Sequence, residues 1–422
     1  MATPHRPRAS TITSNHLRLI ASKDLTIPKD ITATLTNALE SRDYSICLKN
    51  LHGIGIDPQS YIDGLDKAIG IISSGSDIHG RCVRALSRAC KIYGLLPASH
   101  EVTSLLTTSQ YAIASGRFSD IWKATNANGE VFALKVLRMY EGSAVQVKKK
   151  YCREVIRSRW MNHPNVLRIE GVAPDLFPCC TVSRWMENGN MLEYLNTHQG
   201  HIDRSELLLG IMRGLNHLHA RNVVHGDLRS HNIFINAQGI PCLANFGLSS
   251  IARDIYSVNG SDISSGGSVR WSAPELVGPI TTKNEVWVKP TVRSDIYSLA
   301  MVIVEAFTGR VPFPNLSDAY VVISIMKGVR PQKPSNGESR GLGPAIWKLT
   351  EDCWNQNREK RPDIASVLRR FQAIFCAGEE KRSSPIIERI KSIGLPFDSV
   401  QQRINKLDQE LEKAMRHAQV DP

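Results

Sequence analysis

Several features that define other protein classes are missing from this chain. None of its 422 residues lies in an apolar run approaching ~20 residues, so no membrane-spanning helix is expected. Its nine cysteines include no C-x-x-C pair, and their odd number and scattered positions argue against a disulfide framework or a zinc site. The thiols are therefore expected to be reduced, which predicts a cytoplasmic protein, with the nucleus as the alternative.

The chain also lacks a concentrated nucleic-acid-binding pattern, although its formal net charge is +12. The basic residues are mostly dispersed, and the densest cluster, between positions 148 and 159, contains only Tyr151 as an aromatic residue. Such a cluster is more typical of a solvated helix face than of a surface that stacks and neutralises a nucleic acid. We expect no nucleic-acid partner, and a docking site for another partner is the alternative interpretation.

The first part of the chain divides into two segments. The first 23 residues contain no acidic residue, and Pro4 and Pro7 disfavour an early helix, so residues 1–27 are predicted to be a disordered basic tail. Residues 28–104 are predicted to form a small helical domain. Their apolar residues recur every three to four positions, as at Ile62, Leu65 and Ala68. This domain is either an interaction module or a brace packed against the main domain, and the brace is favoured.

The pattern changes near residue 105, where short strand-like runs begin. They cover 111–113, 120–122 and 131–137, and a mainly helical pattern follows Leu192. Strands followed by helices predict an α+β domain over residues 105–377. Residues 378–422 form a predicted charged helical tail, in which Val400, Ile404, Leu407 and Leu411 suggest a short heptad pattern. Dimerisation through this tail and packing of the tail onto the main domain are both open.

Two short segments carry the strongest chemical signal. The first is His225-Gly226-Asp227-Leu228-Arg229-Ser230-His231-Asn232, and it resembles the catalytic loop of protein kinases. The second, Ala244-Asn245-Phe246-Gly247, resembles their D-F-G element, with asparagine in place of the aspartate. The run that ends in Lys135 and the A-P-E run that ends in Glu275 match further kinase motifs in the expected order. The chain is therefore similar to tyrosine-kinase-like serine/threonine kinases, and the expected fold is bilobal, with a β-rich N-lobe and a helical C-lobe.

This resemblance implies a site for ATP and a divalent metal, with protein substrates or signalling partners. Asp227 would orient the substrate hydroxyl, Lys135 would hold the phosphates, Glu154 would pair with Lys135, and Arg229 would lie near the γ-phosphate. Asn232 and Asn245 would be the metal ligands. The residues implied in nucleotide binding are Ala114, Gly116, Ser119, Ile121, Ala133, Lys135, Ser183, Arg184, Met186 and Phe234. Outside the cleft, Asp295 would brace the catalytic loop and Arg361 would pair with Glu275.

Three departures from the family pattern bear on activity. The phosphate loop keeps only Gly116 of its three glycines, Gly226 replaces the arginine of H-R-D, and Asn245 removes a metal-ligand charge. Mg²⁺ prefers charged oxygen ligands, whereas Mn²⁺ accepts neutral ones somewhat better. One hypothesis is a kinase for Ser/Thr hydroxyls with impaired activity. The alternative is a pseudokinase that acts as a scaffold or allosteric signalling module. The first is favoured because Lys135, Glu154, Asp227 and Asn232 occur together, and Ser268 favours Ser/Thr over Tyr.

Overall fold

The computed structural model describes residues 53, 57–72, 77–116, 119–138, 144–198, 202–246, 269–277, 288–335 and 337–376. The predicted basic tail and the predicted C-terminal heptad lie outside these ranges, as do Gly247 and Ser268. None of the described helices is both long and apolar enough to cross a membrane. The described cysteines are all free thiols, and all but Cys376 are buried.

Two helices precede the sheet, α1 (Pro58–Ile71) and α2 (Asp77–Tyr93). The Asp57 side chain accepts a hydrogen bond from the Ser60 N–H, and Pro58 occupies the first helical turn. Asp57 and Pro58 therefore cap and start α1. The predicted apolar stripe at Ile62, Leu65 and Ala68 of α1 is buried, and α1 packs against buried residues of α2, including Leu86 and Ala89.

An antiparallel sheet follows the two helices. Its strands are β1 (Leu106–Thr107), β2 (Ala114–Ser115), β3 (Ser119–Thr125), β4 (Val131–Leu137), β5 (Ile169–Val172) and β6 (Cys180–Arg184). The order is β1-β3-β4-β6-β5, and β2 also pairs with β3. The prediction of a strand over 111–113 is wrong. The Tyr111 N–H donates to the Ser109 hydroxyl, and pairing with β3 begins only at Ile113, whose N–H donates to the Ile121 carbonyl ahead of β2.

Helix α3 (Ala144–Arg159) lies between the helical pair and the sheet. The Tyr151 hydroxyl donates to the Cys180 carbonyl at 2.6 Å, which attaches α3 to β6. The chain leaving α2 is attached to the sheet as well, because the Val102 N–H donates to the Val172 carbonyl. At this crossing a Cβ on Gly171 would lie 2.3 Å from the His100 carbonyl oxygen, so the close approach requires glycine.

The remaining described chain forms a mainly helical lobe. Its elements are α4 (Met191–Thr197), α5 (Arg204–Ala220), β7 (Ile233–Ile235), β8 (Pro241–Leu243), α6 (Pro274–Val277), α7 (Val292–Thr308), α8 (Asp318–Met326), α9 (Pro344–Cys353) and a last helix over 364–376. Helix α7 is buried along almost its whole length and forms the centre of this lobe. The expected two-lobed α+β architecture is confirmed.

Candidate active site

The loop that carries Asp227 is held by one buried carboxylate from α7. Asp295 accepts hydrogen bonds from the backbone N–H groups of His225 and Gly226, at 2.8 and 2.9 Å, and from His219 Nε2 at 2.8 Å. The predicted bracing role of Asp295 is confirmed. Sequence reasoning did not identify His219, because nothing in its local pattern indicates a partner 76 positions away.

Gly226 occupies a backbone conformation that suits glycine. Its φ is +76°, in the left-handed region that most side chains avoid. The residue that removes the arginine of the family pattern therefore also relieves backbone strain next to Asp227. The His225 side chain is buried, and its ring centroid lies 6.4 Å from that of Phe246. This burial lowers the pKa of His225.

Four side chains from separate parts of the chain form a continuous polar chain across the cleft. Lys135 Nζ donates to Asn245 Oδ1 at 2.6 Å, and Asn245 Nδ2 donates to Asn232 Oδ1 at 2.7 Å. Asn232 Nδ2 in turn donates to the carboxylate of Asp227 at 2.8 Å and to its backbone carbonyl at 2.7 Å. The structure thus brings together the predicted phosphate-binding, metal-binding and catalytic positions.

The backbone at Asn245 also explains part of its identity. Its φ is +65°, and asparagine is one of the few residues besides glycine that adopt this region readily. The amide is therefore compatible with both the local backbone and the polar chain.

The predicted ion pair between Lys135 and Glu154 is not formed. The Glu154 carboxylate lies 3.3 Å from Arg153 Nε and 3.3 Å from Arg157 Nη1, on its own helix α3. Lys135 donates to Asn245 instead, and burial lowers the pKa of Lys135 to about 8, although the Asp227 carboxylate opposes this shift. The sequence spacing correctly placed Glu154 on the helix but could not show how that helix is oriented.

Arg229 lies beside the catalytic position. Its Nε is 3.6 Å from Asp227 Oδ2, and its guanidinium lies 5.9 Å from the ring centroid of Trp271. Under this pair lies Glu305 of α7, which is fully buried and accepts hydrogen bonds from Trp271 Nε1 and from the N–H and hydroxyl of Ser230. Sequence reasoning missed Glu305. A signal was present, since it is an acidic residue in an otherwise apolar helical run.

The predicted adenine-binding residues line both sides of the cleft between the lobes. Ala133 of β4 is paired with Ser183 of β6, and Ile121 of β3 is paired with Lys135, so these positions share one face of the sheet. Phe234 of β7 lies on the opposite lobe and is half-buried. The connector after β6 is fixed by the bond from the Trp185 N–H to the Val131 carbonyl and by a turn that joins Met186 to Gly189. Arg184, at its start, is exposed and pairs with Glu130 at 2.6 Å.

The predicted phosphate loop is the tip of a hairpin. Ala114 and Gly116 are exposed, Ser119 is half-buried, and the Gly116 N–H donates to the Ser119 carbonyl across the tip. Positions 117 and 118 lie outside the described residues. Next to the tip Asp120 forms a bidentate pair with Arg138, at 2.6 and 3.0 Å, which keeps the pKa of Asp120 low. This pair stabilises the base of a loop that has lost two glycines.

The A-P-E element is attached to the helical lobe by a buried arginine. Arg361 Nη1 and Nη2 donate to the two carboxylate oxygens of Glu275 at 2.7 and 2.8 Å, and the guanidinium lies over Tyr297. The predicted pair between Arg361 and Glu275 is confirmed.

The predicted metal ligands form a neutral donor set. The amide oxygens of Asn232 and Asn245 belong to contacting side chains, and within the described part of the chain no group of three or more His, Cys, Asp or Glu could hold a metal. Mg²⁺ prefers charged oxygens, so two amides alone would bind it weakly. Both amide oxygens already accept a hydrogen bond, so Asn232 and Asn245 would at most complete the coordination of a cation held mainly by nucleotide phosphates.

Comparison with known proteins agrees with this arrangement. A family model described as protein tyrosine and serine/threonine kinase matches residues 107–371. The serine/threonine-protein kinase STY17 of Arabidopsis thaliana is 28% identical over 276 residues, which cover 64% of this chain and 45% of STY17. The serine/threonine/tyrosine-protein kinase HT1 of the same plant is 27% identical over 316 residues, covering 69% of this chain and 76% of HT1.

A receptor kinase shows a similar level of identity. Ephrin type-A receptor 8 of Rattus norvegicus is 28% identical over 265 residues, covering 61% of this chain and 66% of the receptor sequence. The chain spans less than half the length of STY17 and of a second Arabidopsis relative, serine/threonine-protein kinase STY46.

Proposed function

The chain belongs to the protein tyrosine and serine/threonine kinase family, and on this basis we propose that it binds ATP and transfers the γ-phosphate to Ser/Thr hydroxyls of proteins, at a rate reduced by Asn245. The observation that carries the proposal is the continuous polar chain from Lys135 to Asp227. Serine/threonine kinases among the relatives support the substrate class.

In the proposed reaction a bond forms between the substrate hydroxyl oxygen and the γ-phosphorus, and the bond from that phosphorus to the bridging oxygen of ADP breaks. Asp227 receives the hydroxyl proton, and Asn232 keeps its carboxylate in place through the 2.8 Å hydrogen bond. Lys135 binds phosphate oxygens, and Arg229 adds positive charge beside Asp227. A divalent cation, when bound, neutralises phosphate charge; Mg²⁺ and Mn²⁺ are both proposed.

The expected deficit follows from the missing carboxylate at Asn245. Two unit charges ~4 Å apart interact by ~4 kcal/mol at an effective dielectric constant of ~20. A loss of this size slows transfer on the order of 10³-fold. The cation is divalent and would lie closer, which increases the lost interaction, whereas water replaces part of it, so this figure sets the order of magnitude of the effect.

Asn245 also favours the second candidate, a pseudokinase acting as a scaffold or allosteric module. Both ends of its amide are engaged by protein groups, the oxygen by Lys135 and the nitrogen by Asn232. An amide used in this way keeps the cleft ordered without contributing charge to a metal site.

Phosphate transfer from labelled ATP by the purified chain, with Mg²⁺ and separately with Mn²⁺, distinguishes the two functions. We expect slow transfer by the wild type, loss of transfer in Lys135→Met, and a gain of up to ~10³-fold in Asn245→Asp. Transfer that is absent from both wild type and Asn245→Asp would contradict the kinase proposal and support the pseudokinase. Transfer unaffected by Lys135→Met would indicate a contaminating kinase.

Two further parts of the proposal concern the whole protein. We place it in the cytoplasm, with the nucleus as the alternative, because the described cysteines are free and mostly buried thiols. The tail over residues 378–422 is proposed to dimerise or to pack onto the main domain.

A further inference from the structure

Helix α3 is packed on two sides. Tyr151, Cys152, Val155 and Ile156 are each at most 2% exposed and belong to one apolar cluster. The same cluster contains residues of α1 and α2 on one side, and Val172 of β5 and Cys179, which precedes β6, on the other. The members from the helical pair are Tyr61, Ile62, Leu65, Ile69, Cys82, Ala85, Leu86, Ala89 and Cys90.

Polar contacts hold the same interface. The Ser87 hydroxyl donates to the Arg153 carbonyl of α3, and the His79 ring meets the Trp160 ring edge-on, with centroids 5.3 Å apart. A close-packed helix that is covered on both sides cannot turn about its axis without losing contacts on each side. The orientation of α3 is therefore fixed by the helical pair as well as by the sheet.

In this orientation the Glu154 carboxylate is committed to its own helix. The residue is 4% exposed, and both of its ion-pair partners, Arg153 and Arg157, are neighbours on α3. A Glu154 carboxylate that turned to pair with Lys135 would give up both of these contacts.

Lys135 has a different partner. Its Nζ donates to Asn245 Oδ1 at 2.6 Å, and Asn245 is in turn held by Asn232. An amide oxygen accepts this hydrogen bond without neutralising the ammonium charge. Lys135 is thus held in place while its charge stays free for a phosphate.

We propose that the helical pair α1–α2 fixes α3 with Glu154 turned away from the cleft, and that Asn245 is the positioning residue of Lys135 in place of Glu154. The inference rests on the proposed function only in taking Lys135 as a phosphate-binding residue. The helical pair then determines how α3 is oriented beside the cleft. Asn245 positions Lys135 whether or not a metal is bound.

Double-mutant cycles on the unfolding equilibrium of the nucleotide-free, full-length chain test both halves. Lys135→Met is combined with Asn245→Gly, which removes the amide and tolerates the positive φ, and separately with Glu154→Gln. We expect coupling on the order of fivefold in the unfolding constant for Lys135 with Asn245, and less than about twofold for Lys135 with Glu154. Asn245→Asp, which keeps an acceptor oxygen, should retain the coupling. Asn245→Ser, whose side chain is too short, replaces Asn245→Gly if that variant does not fold.

The cycle between Lys135 and Glu154 is then repeated in the Asn245→Gly background. With α3 fixed, the coupling stays below about twofold even though Lys135 has lost its partner. Coupling of about fivefold or more in this background would show that α3 turns and would overturn the role of the helical pair. Stronger coupling of Lys135 to Glu154 than to Asn245 in the wild-type background would overturn the whole inference.

Calorimetric titration with ATP in EDTA separates this inference from the proposed function. Without metal, we expect the single substitution Asn245→Gly to weaken ATP binding about fivefold. The same substitution made in the Lys135→Met variant should have no further effect, because Asn245 acts through Lys135. An equal effect in both backgrounds would contradict positioning. If the wild type binds no ATP with or without Mn²⁺, the proposed function fails, whereas the unfolding cycles still decide the partner of Lys135.

Discussion

At the residue scale, Glu305 is an acidic side chain in the interior of the helical lobe. Three donors from Ser230 and Trp271 surround its carboxylate, yet burial outweighs these hydrogen bonds and raises the pKa of Glu305 to about 7. The Glu305 carboxylate thus connects the catalytic loop to the A-P-E segment, and its charge changes with pH near neutrality.

This raised pKa predicts a pH-dependent stability. Since the pKa in the folded state lies above the ordinary value of 4.5, the folded state binds more protons, and stability falls as pH rises from about 4.5 to about 7. The loss amounts to about 3 kcal/mol across this range. Glu305→Gln should remove most of that slope in urea unfolding measured between pH 5 and pH 8.

The exposed Glu206 offers a matched control for that prediction. Its carboxylate pairs with Arg213 at the surface, so Glu206→Gln should leave the slope in place. A slope that persists in Glu305→Gln would mean that a different group titrates.

The side chain and backbone of Asn245 meet several structural requirements at once. Its positive φ, its hydrogen bond from Lys135 and its contact with Asn232 are all satisfied by an amide. The missing negative charge would affect the metal, and it also leaves the Lys135 ammonium without a neutralising partner at this position. A substitution that weakens the proposed chemistry is therefore consistent with an ordered cleft.

At the scale of elements, α7 organises the helical lobe. Its Asp295 holds the catalytic loop, its Glu305 holds Ser230 and Trp271, and its Tyr297 supports Arg361. Buried polar groups on a single helix thus position three segments that are far apart in sequence.

The pair between Arg361 and Glu275 predicts a large energetic effect. Arg361 is fully buried, so Arg361→Met leaves the Glu275 carboxylate without its bidentate partner. We expect the free energy of unfolding to fall by about 3–5 kcal/mol, as for other broken buried pairs, measured by urea unfolding.

The pair between Arg370 and Asp352 provides the comparison. It has the same 2.7 Å length but is 41% and 31% exposed, so Arg370→Met should cost less than about 1 kcal/mol. Equal losses in the two variants would show that burial does not determine the strength of these pairs.

At the scale of the whole molecule, the helical pair and the sheet lobe share one apolar cluster. For the described part of residues 28–104, this packing is consistent with a brace, whereas the domain boundaries themselves stay predictions. Elements that share a core are expected to unfold together rather than in separate steps.

Leu86→Ala tests this cooperativity. Leu86 of α2 is fully buried in the cluster, so its truncation should cost about 2–5 kcal/mol. Amide exchange under native conditions should show α2 and α3 losing protection together.

The control is Val145→Ala, at an α3 position that is 66% exposed, which should change the free energy of unfolding by less than about 0.5 kcal/mol. Rapid exchange in α2 with α3 still protected would contradict a common core.

Several elements and contacts of this fold could be predicted from the amino-acid sequence. Periodicity predicted α1 and α2, and an apolar run predicted β4 over Val131–Leu137. The order of short motifs predicted the two-lobed fold, the bracing by Asp295 and the pair between Arg361 and Glu275. These features can be predicted from sequence because they depend on local pattern or on motifs whose geometry recurs throughout the family.

Only the tertiary structure decided which side chains meet. Lys135 and Asn245 are 110 positions apart, and their contact depends on how two lobes and α3 are placed. Glu154 has the expected spacing from Lys135 yet pairs with Arg153 and Arg157, since packing against the helical pair sets the rotation of its helix. Spacing along a helix fixes which face a residue occupies, and the direction of that face is set by everything packed around the helix.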